Sequence, residues 1–594
     1  MTIREEITGS ELAHCVECGK THPPRAALIP SPFSSIIAQE LMPTASETAA
    51  IRHFVREADA EIAWREHAID RLHCELAELR RRSELHKAII APIRRVPPEI
   101  MAEIFLQLAA IEARSEHWWD YYNDRRLLEQ EYTSRPFPNR APLIFGAICH
   151  EWRAIASSTP SLWNCISLEC TNENMRNNVS LCNMWLKRSG ALPLSIQFHR
   201  SDSEDVASGQ IVDDYRDLLR TILPYAQRWR VLDLKKFPAS SYDTFHILLP
   251  NFVPMLETLS VSHDWRREQP TLTSTPWAGL RISPKLRFLY FDSIGAGVIM
   301  VGGERPTFPW SQLTHIDVGD CSAYDCLRIL GEAPTAVACR FVVQRPSFLQ
   351  HPPISHPGLQ TLKIEVYDTT LPVWDLLTCS TLSTLSVEAR TMAAGPYFRG
   401  LPSFVTRSGA KIQHFRMRPS GLDDTEFMSC LSAMPQLRSL DIAEVFGGQT
   451  QFTEQVWESL TWAAAEDSPA PLVPNLESLS LDGDFNFSHK FVVRMLNSRV
   501  QTATRPATFS PKLKAVTLVM WRNITKSVYR RLSAFEKLGL KMLIDVMGED
   551  GEDEGSEASD AEDWESDDGD TEDSEEASDL SSLEADDSDA DDDI

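Results

Sequence analysis

Pro435-Gln436-Leu437-Arg438-Ser439-Leu440-Asp441-Ile442 carries the pattern that decides the fold. After the proline the apolar residues follow a Leu-x-x-Leu-x-Leu spacing. Leu440 and Ile442, two apart, share one face of an extended strand, so the residue between them, Asp441, points the other way. The same spacing begins again at Leu256, Leu286, Leu313, Leu359, Leu382, Ile412, Leu476 and Leu513, and in looser form at Trp163, Trp229 and Ala336. Several copies follow a proline two residues earlier, as with Pro254, Pro284, Pro357, Pro474 and Pro511.

From 256 to 437 the copies are 23 to 30 residues apart once Ala336 is counted, and the next two steps are 39 and 37. That range brackets the leucine-rich repeat period of roughly 20–29 residues, with insertions. Each unit supplies a short strand and then a return segment with helical spacing, such as Tyr324 to Leu330 or Val373 to Leu377. One unit cannot close its own core, and stacking closes it. Residues 169–547 are therefore expected to form an α/β leucine-rich-repeat solenoid with one parallel sheet on its concave side. A doubly wound sheet is the competing reading, and short alternating strands without a Gly-rich phosphate loop argue against it.

In such a solenoid the leucines are structural and binding falls to the residues between them. The candidates for holding a protein substrate are Glu257, Arg287, Gln360, Lys363, Arg416 and Arg438, with Thr314, Gln413 and Asp441 in equivalent positions.

Upstream, Glu47 to Ile90 contains neither proline nor glycine, and apolar residues recur in steps of four and three: Ile51, Val55, Ala58, Ile62, Ile69, Leu72, Leu76, Leu79 and Ile90. A period of 3.5 gives a long helix over 46–90 with one narrow apolar seam, interrupted by Arg65, Ser83 and His86. Self-pairing as a coiled coil and packing on the chain's own next domain both fit that seam. Before it, residues 1–45 are rich in Pro and Ser and hold Cys15-x-x-Cys18 with His22 close by. Two thiols and one imidazole lack a fourth ligand for a tetrahedral ion, so no metal site is expected.

Pro92 stops the long helix. Pro97-Pro98-Glu99-Ile100 then opens another, with proline in the first turn, an acid at the positive end, and Ile100, Ile104, Phe105 and Leu108 on one face. After residues 109–140, Ile144, Ile148, Trp152 and Ile155 make a second apolar stripe. Two short amphipathic helices cannot bury both stripes alone, so a partner surface is expected.

Pro97-Pro98-Glu99-Ile100, Ile104-Phe105, Ile148-Cys149-x-x-Trp152-Arg153 and Leu162-Trp163, in this order, resemble the F-box of the expanded fungal F-box-like proteins. The likeness extends upstream to Cys15-x-x-Cys18-Gly19, Ser31-Pro32-Phe33-Ser34 and Ala91-Pro92-Ile93-Arg94-Arg95. It implies an F-box-like domain over 91–168, with 109–140 as an insert, docking on the Skp adaptor of a Skp–cullin–F-box ubiquitin ligase and reaching the cullin through it. The adaptor-facing residues it implies are Val96, Pro97, Ile100, Ile104, Phe105, Ile148, Cys149 and Trp152.

The composition narrows the remaining classes. The net charge of −27 comes from residues 549–594, which hold 25 acids and no base. The other 548 residues carry 58 Lys and Arg against 60 Asp and Glu. A nearly neutral body offers no clustered basic surface for nucleic acid. The tail, 548–594, has too little apolar surface to offset its ordering entropy and is expected to be disordered. No apolar run of 18 residues is present to cross a bilayer, and the polar start lacks a secretory apolar region. A cytoplasmic or nuclear location is expected.

No GxGxxG or phosphate loop, HExxH helix, GxSxG elbow or Cys/His nucleophile setting occurs, so neither enzyme activity nor a cofactor is expected. The sequence thus reads as an α+β multidomain chain: long helix, helical box, repeat solenoid, acidic tail. The expected function is a substrate-recognition subunit of a ubiquitin ligase. A scaffold or acidic chaperone unconnected with ubiquitin is the alternative.

Overall fold

The computed structural model describes residues 13–14, 21–22, 31–39, 42–113, 141–171, 173–200, 209–242, 244–245, 252–263, 280, 282–292, 308–345, 351–367, 373–390, 398–419, 423–444, 453–462, 471–483, 489–500, 513–520 and 526–546. Cys15 and Cys18, residues 114–140 of the expected insert, and the acidic tail lie outside these. The chain divides into two compact units, Met1–Met101 and Ala102–Ile594.

In the first unit, α1 (Ala45–Ile90) runs for 46 residues and stops just before Pro92, as its composition requires. It starts on a capping box: Thr44 Oγ1 accepts from the Glu47 backbone N–H at 3.4 Å while the Glu47 carboxylate accepts from the Thr44 N–H at 2.8 Å. This satisfies two donors that a helix start otherwise leaves open. No residue of α1 is buried. A short helix, Ser34–Gln39, precedes it, and Phe33 meets Phe54 edge-on at 6.0 Å.

The second unit is dominated by one parallel sheet of fourteen strands in sequence order. They are β1 (Cys165–Cys170), β2 (Leu194–Arg200), β3 (Trp229–Phe237), β4 (Thr258–His263), β5 (Phe288–Asp292), β6 (His315–Ser322) and β7 (Ala338–Arg345). The sheet continues with β8 (Thr361–Val366), β9 (Thr384–Ala389), β10 (His414–Arg418), β11 (Ser439–Ala443), β12 (Ser478–Gly483), β13 (Ala515–Met520) and β14 (Lys541–Val546). Each strand pairs with the next, which is consistent with a solenoid-like α/β repeat domain.

The register makes the repeat physical. Leu232, Leu259, Leu289, Ile316, Cys339, Leu362, Leu385, Phe415, Leu440 and Leu479 are successive partners across the sheet. Two residues further on, Leu234, Val261, Phe291, Val318, Phe341, Ile364, Val387, Met417, Ile442 and Leu481 do the same. All twenty are buried. At about 1.5–3 kcal/mol for each large side chain withdrawn from water, these two rows are the main cohesive element of the sheet.

Helical segments supply the other layer. Ala323–Glu332 returns the chain between β6 and β7, capped by Ser322 and Asp325, and Val373–Leu376 lies between β8 and β9.

A second thread ties the strand entrances together. The backbone N–H of Glu257 donates to the carbonyl of Arg230, and that of Arg287 donates to Glu257. The relay continues through Thr314, Val337, Gln360, Ser383, Gln413, Arg438, Glu477 and Lys514 to Lys541.

Candidate functional site

Three helices carry the box: α2 (Pro98–Ala113), α3 (Ala141–Ile148) and α4 (His150–Ser158). The expected second apolar stripe, Ile144, Ile148, Trp152 and Ile155, is divided between two helices at Cys149. That residue is extended (φ −156°, ψ 168°), and its Sγ accepts from the Trp152 backbone N–H at 3.4 Å, capping α4. Cys149 therefore works as a helix cap, half-buried. Arg153 reaches back across the break to the Gly146 carbonyl at 2.6 Å.

The break lets the aromatic residues meet. Phe105 of α2 stacks on Phe145 of α3 at 4.2 Å, and Trp152 of α4 meets Phe105 edge-on at 5.0 Å. Phe105 is 1% exposed, so it seals the interior and does not face outward as the resemblance implied. Trp152 is half-buried beside it. Behind them Trp163 fastens α4 to the sheet region. Its Nε1 donates to the Ala156 carbonyl at 2.7 Å, and its ring meets Trp185 edge-on at 4.9 Å, with the Arg188 guanidinium 4.5 Å from its centroid.

With the aromatics inside, aliphatics are left outside. Ile104 is 40%, Ile144 49% and Ile148 56% exposed, and Leu108 and Leu143 are exposed too. In the first unit Pro97 and Ile100 are exposed and Val96 is half-buried. Leu108 and Leu143 were not among the expected site residues. For Leu108 the signal was present, because it continues the four-residue step of Ile100 and Ile104 on α2.

The six candidate substrate-contacting residues fall into two groups. Glu257, Arg287, Gln360 and Arg438 are exposed members of the backbone relay at the strand entrances. Thr314 and Gln413 belong to the same relay. Lys363 and Arg416 lie instead within the sheet, on the face opposite the leucine rows, in register with Asp317, Arg340, Ser386 and Asp441.

On that face the charges satisfy one another. Arg340 bridges Asp317 and Glu365, each at 2.8 Å, and Lys363 bridges Glu365 (3.2 Å) and Glu388 (3.1 Å). Arg390 reaches Glu365 at 2.9 Å and Glu388 at 3.3 Å; Arg416 reaches Glu388 at 3.4 Å and Asp441 at 3.6 Å. Four acids and four bases from six consecutive strands thus balance.

Burial pushes the Glu365 carboxyl up, but Arg340, Lys363 and Arg390 outweigh it and hold the group well below the usual carboxylate range. Burial likewise lowers and Asp317 and Glu365 raise Arg340, which ends above its ordinary value. The centre of the network, Asp317, Arg340, Lys363, Glu365 and Glu388, is buried.

Among the described residues no three His, Cys, Asp or Glu side chains gather as a metal site, and no helix is long and apolar enough to cross a membrane.

No protein-family model matches the chain, and no curated protein matches it. Among solved structures it is similar to the "Crystal structure of Rad7 and Elc1 complex in yeast", at 13% identity over 79% of this chain and 96% of that one, with a TM-score of 0.32.

Proposed function

We propose that this protein is a non-catalytic substrate-recognition subunit of a Skp–cullin–F-box ubiquitin ligase. Its helical box docks on the Skp adaptor, and its leucine-rich-repeat solenoid holds a protein substrate. The observation that carries the reading is the outward placement of Ile104, Ile144 and Ile148 over an interior already closed by Phe105, Phe145 and Trp152. A subdomain that packs its aromatics and still leaves a row of aliphatics in water gains by covering them with another surface. The order of box residues resembling an F-box names the Skp adaptor as that surface.

Ubiquitin transfer then depends on proximity. The adaptor connects the box to the cullin and its conjugating enzyme, and the repeats bring the substrate alongside. Positioning of this kind converts an encounter between separate molecules into one within a single assembly.

Co-purification of the full chain with recombinant Skp adaptor tests the reading. The wild type is expected to retain the adaptor. The double variant Ile104→Asp, Ile148→Asp is expected to lose it while keeping its unfolding midpoint, because both side chains are exposed. A wild type that does not hold the adaptor would overturn the proposal.

A further inference from the structure

The seam of α1 is an apolar feature for which neither the box nor the sheet has a use. Val55, Ile62, Ile69, Leu72, Leu76, Leu79 and Ile90 are all exposed. Phe33 meets Phe54 near the start of the helix, and Ile51, Phe54 and Ala58 are half-buried there; beyond Ala58 the seam lies open. From Ile51 to Ile90 it spans about 60 Å of helix. A repeat of 3.5 keeps such a seam facing a partner that follows the same repeat, and a second copy of the helix does.

We infer that two copies of this chain pair through α1 as an antiparallel coiled coil, centred between Asp70 and Arg71. In this register the seam is complementary to itself. Ile69 faces Leu72 of the other copy, Ile62 faces Leu79, Ile51 faces Ile90, and the small Ala58 faces the small Ser83. Val55 meets His86. Arg65 lies against Leu76, where its methylene stem covers the leucine and its guanidinium reaches water.

The flanking charges decide the direction. Antiparallel helices set Glu61 beside Arg82 and Asp59 beside Arg80, each twice by symmetry, against one like pair, Arg52 with Lys87, also twice. Parallel helices would set Glu61 beside Glu66 and Arg82 beside Lys87, each twice, against one opposite pair, Glu75 with Arg80. They would also stack Arg65 on Arg65 and His86 on His86 inside the seam. Like charges held side by side disfavour a coiled coil and opposite ones specify its partner. The pairs now made along α1, such as Arg82 with Glu78 at 2.8 Å and Arg71 with Glu75 at 3.8 Å, are between exposed groups and exchange at little cost.

Sedimentation equilibrium of the full chain is expected to give twice its 67.0 kDa mass, and Ile69→Glu with Leu76→Glu is expected to return it to a single mass without loss of helix signal. A wild type at single mass at every accessible concentration would overturn the pairing and leave the seam to some other chain.

Orientation is read separately on a Cys74→Ser background, which removes the exposed thiol of α1. Ile62→Cys and Leu79→Cys proteins are expected to form a disulfide-linked dimer only when mixed. Linking of Ile62→Cys protein to itself would overturn the antiparallel direction, and a dimer that links in neither case would overturn the register.

Discussion

Phe105 and Phe145 lie ring over ring, their centroids 4.2 Å apart and their planes within 11° of parallel. One residue comes from α2 and the other from α3, across the sequence gap between Ala113 and Ala141, and Trp152 of α4 closes on the pair edge-on. The three helices are therefore joined at one aromatic node. Their neighbours Ile104, Ile144 and Ile148 are outside because the inside is already full.

Phe105→Ala is expected to cost about 3–5 kcal/mol of box stability, since it deletes a ring and leaves a void between two others. Adaptor capture should fall with it. Hydrogen exchange separates this loss from that of Ile104→Asp: amides of α3 and α4 should exchange faster in Phe105→Ala and unchanged in Ile104→Asp. Equal exchange in both would show that the node does not hold the helices.

Lys363 and Arg438 were expected to act alike, and the structure assigns them opposite costs. Lys363→Met leaves Arg390 alone to bridge Glu365 and Glu388 in a site where four acids then face three bases, and about 3–5 kcal/mol of destabilisation is expected. Arg438 pairs with Glu477 at 3.4 Å in the open, so Arg438→Ala should change stability by no more than about 1 kcal/mol. Denaturant melts of the two variants measure the difference, and similar midpoints would contradict the buried network.

Stability should also fall in acid. Glu365 and Glu388 both have folded-state values below the ordinary range. Burial pushes Glu388 up, as does Glu365, but Lys363, Arg390 and Arg416 prevail. An unfolded glutamate titrates near pH 4.3, so the contribution is complete above about pH 4.3 and is lost as the pH falls toward the lower folded values. Thermal midpoints measured from pH 7 to pH 3 should drop below about pH 4.3. In Glu388→Gln protein the midpoint should start lower and fall less steeply; an unchanged slope would remove Glu388 from the account.

The buried thiols should be inert. Burial pushes Cys182, Cys379 and Cys430 up to about 12, and for Cys430 the Glu426 carboxylate adds to the effect; Cys74 is exposed on α1. A thiol alkylates as its thiolate. Peptide mass spectrometry after brief treatment with iodoacetamide at neutral pH should find Cys74 modified and the other three spared until denaturant is added.

Twelve of the fourteen strands stand where the Leu-x-x-Leu-x-Leu spacing or its looser copies begin. The two it does not mark, β2 and β14, have Pro193 and Gly539 where the first leucine belongs. Gly539 takes a left-handed conformation, φ 85°, at the end of the preceding turn, where a leucine would be strained. The 46-residue helix was legible from its period and from Pro92.

The helices over 98–113 and 141–158 were legible as two apolar stripes, but not the turn at Cys149 that sets Trp152 of α4 against Phe105, because a thiol capping a helix leaves no distinctive spacing. The charge network was illegible for another reason. Asp317, Arg340 and Glu365 come from successive strands, and only the stacking of repeats about 4.8 Å apart brings them together.

The relay of peptide groups from Arg230 to Lys541 holds each strand entrance from β3 to β14 to its neighbour through main-chain atoms, whatever side chains other than proline those residues bear. The stretch between consecutive members grows from 23 residues at Val337–Gln360 to 39 at Arg438–Glu477 without breaking it. Evolution can therefore splice new material between two rungs and rewrite the exposed residues at the rungs themselves while the frame stays put. A chain organised this way can change the surface it presents by drift and insertion, with no need to invent a new scaffold.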